Sequence, residues 1–118
     1  MRAEGHPQHR RVRKRSDFKR AYAEGRKIVV RPFVLFAIAN HGTDSRLGVT
    51  ATRKLGNAVI RNRAKRLIRE AFRRSYAAWP GGQDYVVVAR RAMLEMPIED
   101  LMIALLRAAR RANEEEAT

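Results

Sequence analysis

Lys54-Leu-Gly-Asn-Ala-Val-Ile-Arg-Asn-Arg-Ala-Lys-Arg-Leu-Ile-Arg-Glu-Ala-Phe-Arg-Arg74 is the stretch from which the rest of the chain can be placed. At 100° per residue, Ile60, Ala64, Leu67 and Ala71 fall on one apolar stripe, and Ile68 and Phe72 widen it. Opposite them lie Asn62, Arg66, Arg69 and Arg73, with Arg61 and Lys65 on the border. Between Arg53 and Arg74 the chain carries nine Lys or Arg and one acid, Glu70. A helix that needed only a solvated face would mix signs, because like charges three or four residues apart repel. This pattern therefore predicts a docked helix whose outer face is neutralised by an anionic partner. Gly56-Asn57 breaks the preceding pattern, and Asn57 is the candidate N-cap.

The whole chain has the same bias. It has 118 residues, a formal charge of +14 and a pI near 11.5, yet a normal apolar fraction of 45%. That length suits one domain with one core, and the charge points to polyphosphate or an anionic surface. The absence of cysteine removes disulfides, thiolate zinc sites and thiol nucleophiles, and fits a reducing, cytoplasmic setting. No apolar run approaches the ~20 residues of a membrane span, and the basic N-terminus lacks the apolar core of a secretory signal.

Upstream of the basic helix, residues 1–15 read as a basic arm in which His6 and His9 lack companion metal ligands. Ser16 is a candidate N-cap and Gly25 a candidate C′ residue for a short helix. In that helix Phe18 and Tyr22 share a face, among Lys14, Lys19 and Arg20. Two readings of the pair stand at this point: a helix docked through its aromatics, or a stacking platform for single-stranded nucleic acid. Residues 28–39 read as a short edge piece and a longer strand divided by Pro32. In the longer piece Phe33, Leu35 and Ala37 face one way and Val34, Phe36 and Ile38 the other, so both faces need cover. Residues 40–45 read as a hairpin loop with His41 as a turn residue. Arg46–Thr52 alternates, with Leu47, Val49 and Ala51 on one face and Gly48, Thr50 and Thr52 on the other.

Downstream, residues 79–82 read as a turn, with Trp79 over the core edge, and Tyr85–Ala89 as an interior strand. Pro97 suits the first turn of a closing helix. Its core stripe is Ile98, Leu101, Met102, Leu105 and Ala109, and Asn113–Thr118 reads as a frayed acidic tail. The twelve acids form no D-x-D pair or cluster suited to a divalent metal. There is no nucleophile elbow, Walker loop or H-E-x-x-H motif. The chain offers no catalytic residues, so any reaction it takes part in has its reactive groups elsewhere.

Taken together, Arg46-Leu-Gly-Val-Thr-Ala-Thr-Arg-Lys-Leu-Gly-Asn-Ala-Val-Ile-Arg-Asn-Arg-Ala-Lys-Arg-Leu-Ile-Arg-Glu-Ala-Phe72 resembles the protein subunit of bacterial ribonuclease P. The family's "RNR" signature stands here as Arg61-Asn62-Arg63. Ser16–Tyr22, Arg31–Phe36 and Asp84–Arg90 support the resemblance, which runs from about Val12 to the closing helix. It implies an α/β (α+β) sandwich of order α-β-β-β-α-β-α. The sheet would be small and mixed, with the basic helix in a left-handed β-α-β crossover, against the usual right-handed rule. The domain would span residues 12–113, with an arm at 1–11 and a tail at 114–118.

The resemblance also implies a function: assisting a catalytic RNA that uses Mg²⁺ to remove the 5′ leader from precursor tRNA. Expected partners are that RNA, in a 1:1 complex, and precursor tRNA; neither DNA nor membrane is expected. The catalytic RNA is expected on Lys54, Asn57, Arg61, Asn62, Arg63, Lys65, Arg66 and Arg69. The leader is expected on Phe18 and Tyr22 of the first helix and Val34 and Phe36 of the strand. The family more often has a second Phe where Tyr22 stands. No metal is expected on the protein itself. The alternative is a ribosomal or other structural RNA-binding protein without a leader cleft.

Overall fold

A computed structural model describes residues 10–117, with side chains as far as Glu114. The elements run α1 (Arg15–Glu24), β1 (Arg26–Val30), β2 (Phe33–Ala39), β3 (Arg46–Thr50), α2 (Ala58–Ser75), β4 (Gln83–Ala89) and α3 (Ile98–Ala117). This is the expected order. The strands form one sheet in the order β1-β2-β4-β3. β1 and β2 are an antiparallel hairpin closed by Arg31-Pro32, with Val30 opposite Phe33. Proline has no N–H to contribute to a ladder, so it fits this connection and would disrupt a strand interior. β2 pairs antiparallel with β4, and β3 pairs parallel with β4. A parallel neighbour needs a crossover, and α2 supplies it.

The two apolar faces of β2 are covered by different elements. Phe33, Leu35 and Ala37 join Leu47, Tyr85, Val87 and the inner faces of α2 and α3 in the main core. On the other face Ile38 and Val86 pack with Ala21 of α1, and Phe18 and Phe36 lie against them. The sheet is thus a middle layer with α2 and α3 on one side and α1 on the other.

Several boundaries differ from the sequence reading. Lys14, not Ser16, occupies the N-cap position of α1 and makes no side-chain cap. Gly25 ends that helix in an extended conformation (φ −74, ψ 160), not a left-handed one. It is small for a steric reason: a Cβ there would sit 2.5 Å from the Ala21 carbonyl oxygen. Part of the stretch 1–15 read as a basic arm is held on the sheet. Arg11 bridges to Leu47, the Val12 N–H donates to the Leu47 carbonyl at 3.0 Å, and Val12 is buried. His6 and His9 lie outside the described residues. α3 continues to Ala117, past the point where a frayed tail was expected. Asn113 donates there to the Tyr85 hydroxyl and the Ala109 carbonyl.

β4 begins at Gln83, so Asp84 lies inside the strand, where it is buried. It accepts two hydrogen bonds from Arg46, at 2.7 and 2.6 Å, and one from Asn40 at 3.0 Å. His41 takes φ 63 in the loop between β2 and β3, beside an Asn40 side chain that accepts from the Gly42 N–H. That is the turn role read from sequence. Trp79 is 4% exposed and packs edge-on against Phe72 and Tyr85, which makes it a core residue.

Candidate nucleic-acid interface

α2 begins as its sequence dictates. The Asn57 side chain accepts the Ile60 N–H at 3.0 Å, satisfying one of the open donors of the first turn. Gly56 precedes it at φ +156, where a Cβ would meet Ile60 at 2.9 Å. The buried residues are Ala64, Ile68, Ala71 and Phe72, whereas Ile60 and Leu67 are only partly buried. The helix is therefore rolled from the expected orientation, because it seats against the sheet through Ile68 and Phe72. That roll sorts the cations into different environments.

Asn62, Arg63 and Arg66 are exposed, as is Lys54 in the preceding turn. Val59, 76% exposed, stands among them. These residues make up the crest of the helix. Arg61, Lys65 and Arg69 lie four apart along one flank and are half-buried. Arg61 donates to the Gly56 carbonyl at 2.9 Å, tying the RNR segment to the turn before it. Asn57 is occupied by capping. At the far end Glu70 accepts from Arg73 and Arg74 at 2.6–3.0 Å. Those bonds, Arg73's first, lower its carboxyl from 4.5 to about 2. The Arg69 guanidinium is shifted down, first by burial and then by repulsion from Arg11.

The four aromatic and aliphatic positions also come together. The Tyr22 and Phe36 rings meet edge-on at 5.1 Å, and Phe18 lies 6.4 Å from Tyr22. Phe36 faces Val86 and Val34 faces Val88 across the β2–β4 pair. The two members of the helix pair are not equivalent. Phe18 is half-buried and lies over Gly48, where a Cβ would come within 2.8 Å of its ring. Tyr22 is 40% exposed, and its hydroxyl lies 2.7 Å from Thr50 Oγ1. The small residues of β3 thus admit the chain's own aromatics.

α1 crosses only part of its face of the sheet, leaving an open groove beside Tyr22. Its floor includes Val34, Phe36, Thr50 and Val88, none of them fully buried. Lys27 reaches over Phe36, with Nζ 5.8 Å from the ring centre. Thr50, Val88 and Lys27 were not identified from sequence. Their placement follows from strand register, Thr50 opposite Val88 and Lys27 opposite Phe36, which periodicity within one strand cannot supply. At the end of the sheet where Phe33 pairs with Ala89 and Thr50 with Val88, the exposed Arg31, Arg53, Arg90 and Arg91 leave the strands. This cationic rim joins the groove to the start of α2.

Among the described residues no group of three His, Cys, Asp or Glu is arranged to hold a metal. Asp84 and Asp17 both lie on Arg46. This site can neutralise phosphates and stack or cradle bases. Its side chains form no acid–base constellation.

Comparison with known proteins gives a consistent picture. A family model described as Ribonuclease P matches residues 6–113. The ribonuclease P protein component of Halalkalibacterium halodurans is 36% identical over 103 residues, covering 86% of this chain and 87% of that protein. The component from Symbiobacterium thermophilum is 44% identical over 92 residues, covering 77% and 80%. Among solved structures, the RNase P protein of Thermotoga maritima superposes with a TM-score of 0.78 at 34% identity, over 86% of this chain and 96% of that one. The Staphylococcus aureus RNase P protein gives 0.75 at 34% identity, over 87% and 94%.

Proposed function

The chain belongs to the ribonuclease P protein family, and from that premise we propose how its two surfaces divide the work. It is the RNA-binding protein subunit of an endoribonuclease that matures the 5′ end of tRNA, and its partner is the ribonuclease P RNA. In our reading the crest of α2, with Lys54, Asn62, Arg63 and Arg66, docks on the catalytic RNA in a 1:1 complex. The groove of Tyr22, Phe36, Val34 and Phe18 receives the single-stranded leader of precursor tRNA. Arg61 and Asn57 shape the start of the helix for that docking, since each is committed to a local hydrogen bond.

The single observation that carries this reading is the layering. The aromatic groove and the basic helix lie on opposite faces of one sheet, so two RNAs can be held without competing for one surface. A structural RNA-binding protein with the basic helix alone has no need of a half-open aromatic groove. Mg²⁺ belongs to the holoenzyme's RNA in this reading. It fits poorly on the protein, whose acids at Asp17, Asp84 and Glu70 are held by arginines. The setting is cytoplasmic, where precursor tRNA is made and matured.

Reconstitution tests this. Purified protein added to its cognate catalytic RNA at low Mg²⁺ is expected to raise the rate of leader removal from precursor tRNA. No gain over RNA alone sinks the assignment of a leader-holding subunit.

A further inference from the structure

We propose that a cleft at the outer edge of β3, bounded by Arg11, Arg13 and Arg69, holds a backbone phosphate of the leader strand. Arg69 thereby serves the substrate, not the catalytic RNA. The inference rests on the leader reading above and deepens it. β3 is an edge strand, and the single bridge from Arg11 to Leu47 covers part of that edge. The bridge brings Arg11 and Arg13 up against the flank of α2. The resulting cleft has a volume of about 300 Å³ and is lined by Arg11, Val12, Arg13, Phe18 and Arg69, with Leu47 and Val49 at its base.

Three features point to an anion. The cleft has three guanidinium groups and no acid in its lining. Arg11 Nε is shielded from solvent with no hydrogen-bond partner, and a buried donor of this kind costs stability unless something accepts from it. Arg69 is held close enough to Arg11 for the two to repel, a juxtaposition that a phosphate would relieve with charge-assisted hydrogen bonds. The leader is favoured as the source because Phe18 forms a wall of this cleft and is also half of the aromatic pair. A strand stacked on Tyr22 and Phe36 therefore passes Phe18 as it leaves the groove around β3. Asn62, Arg63 and Arg66 are exposed and take no part in the cleft lining, whereas Arg69 is half-buried within it.

The test uses holoenzyme reconstituted with wild-type protein or with the double variant Arg11→Gln, Arg69→Gln, which removes both charges and keeps the first part of each aliphatic stem and a polar end. Leader-bearing precursor, mature tRNA and catalytic RNA are titrated separately. The expected result is on the order of tenfold weaker precursor binding, with mature tRNA and catalytic RNA unchanged. The salt slope for precursor should flatten by roughly 0.7 per lost phosphate contact on a single strand. Arg→Lys at both positions should restore most of the affinity. A second readout replaces single leader phosphates with neutral methylphosphonates. One position should weaken binding to wild type yet have no further effect in the double variant. Loss of catalytic-RNA affinity with precursor discrimination intact would overturn the proposal and leave the function standing. So would the absence of any leader phosphate coupled to the two arginines. If the wild-type holoenzyme does not distinguish precursor from mature tRNA, the leader reading falls and this inference with it.

Discussion

Arg46 illustrates what a residue name conceals. It opens the motif that carries the family resemblance and is a cation in a cationic protein, yet it is spent internally. Its guanidinium makes two bonds to the buried Asp84 and a longer one to Asp17. The Asp84 bonds are the main reason that its own pKa is raised. Removing it would leave Asp84, 1% exposed, with Asn40 as its remaining side-chain donor among the described residues. Breaking such a pair typically costs about 3–5 kcal/mol; because Arg46 is itself 31% exposed, we expect Arg46→Ala to cost about 3 kcal/mol. Urea unfolding followed through the single, buried Trp79 measures this directly. Glu70 behaves differently. Its carboxyl is lowered from 4.5 to about 2 by Arg73 and Arg74, so its contribution is complete above about 4.5 and is lost as pH falls towards 2. The pairs lie at the surface, and the effect is under about 1 kcal/mol. Glu70→Gln should lower stability slightly at neutral pH and leave it unchanged near pH 2, as paired thermal melts can resolve. Residue type in sequence located Asp84 and Glu70. It did not indicate which arginine each would hold, because those partners are fixed by sheet register and by helix roll.

The elements were more legible than their contacts. Strong period-2 and period-3.6 patterns placed β2, β3, α2 and α3 to within a few residues. Asn57 was recognisable as a cap from its position after Gly56 and before the apolar-periodic run. The roll of α2 was not legible, since Ile60, Leu67, Ile68 and Phe72 are all apolar and any could have led. Packing chose Ile68 and Phe72, which turned Arg63 and Arg66 outward and Arg61 and Arg69 to the side. A consequence can be measured on the helix alone. Arg63→Ala with Arg66→Ala should weaken catalytic-RNA binding and flatten its salt dependence, by roughly 0.7–0.9 log unit per lost phosphate contact. Arg61→Ala should instead act partly through the folded state, lowering the melting temperature because its bond to the Gly56 carbonyl is lost. Equal effects on stability from all three replacements would contradict this sorting.

For the molecule as a whole, the excess charge read from composition becomes a geometric arrangement. One sheet separates a basic helix from an aromatic groove, and a rim of arginines at the end of the strands joins them. The groove was half legible: Phe18, Tyr22, Val34 and Phe36 were identified, while Thr50, Val88 and Lys27 depended on strand pairing. The two aromatics of α1 carry different burdens. Phe18 covers Gly48, so its replacement mixes folding with binding. Tyr22, exposed and at the groove's edge, isolates the binding role. The most direct measurement is therefore the dissociation constant of Tyr22→Ala holoenzyme for leader-bearing precursor tRNA, with mature tRNA as the reference. Loss of one stacked base costs about 1–3 kcal/mol, so precursor binding should weaken by roughly five- to 150-fold while mature tRNA binding stays unchanged. Equal losses for the two ligands, or none for either, would contradict the account.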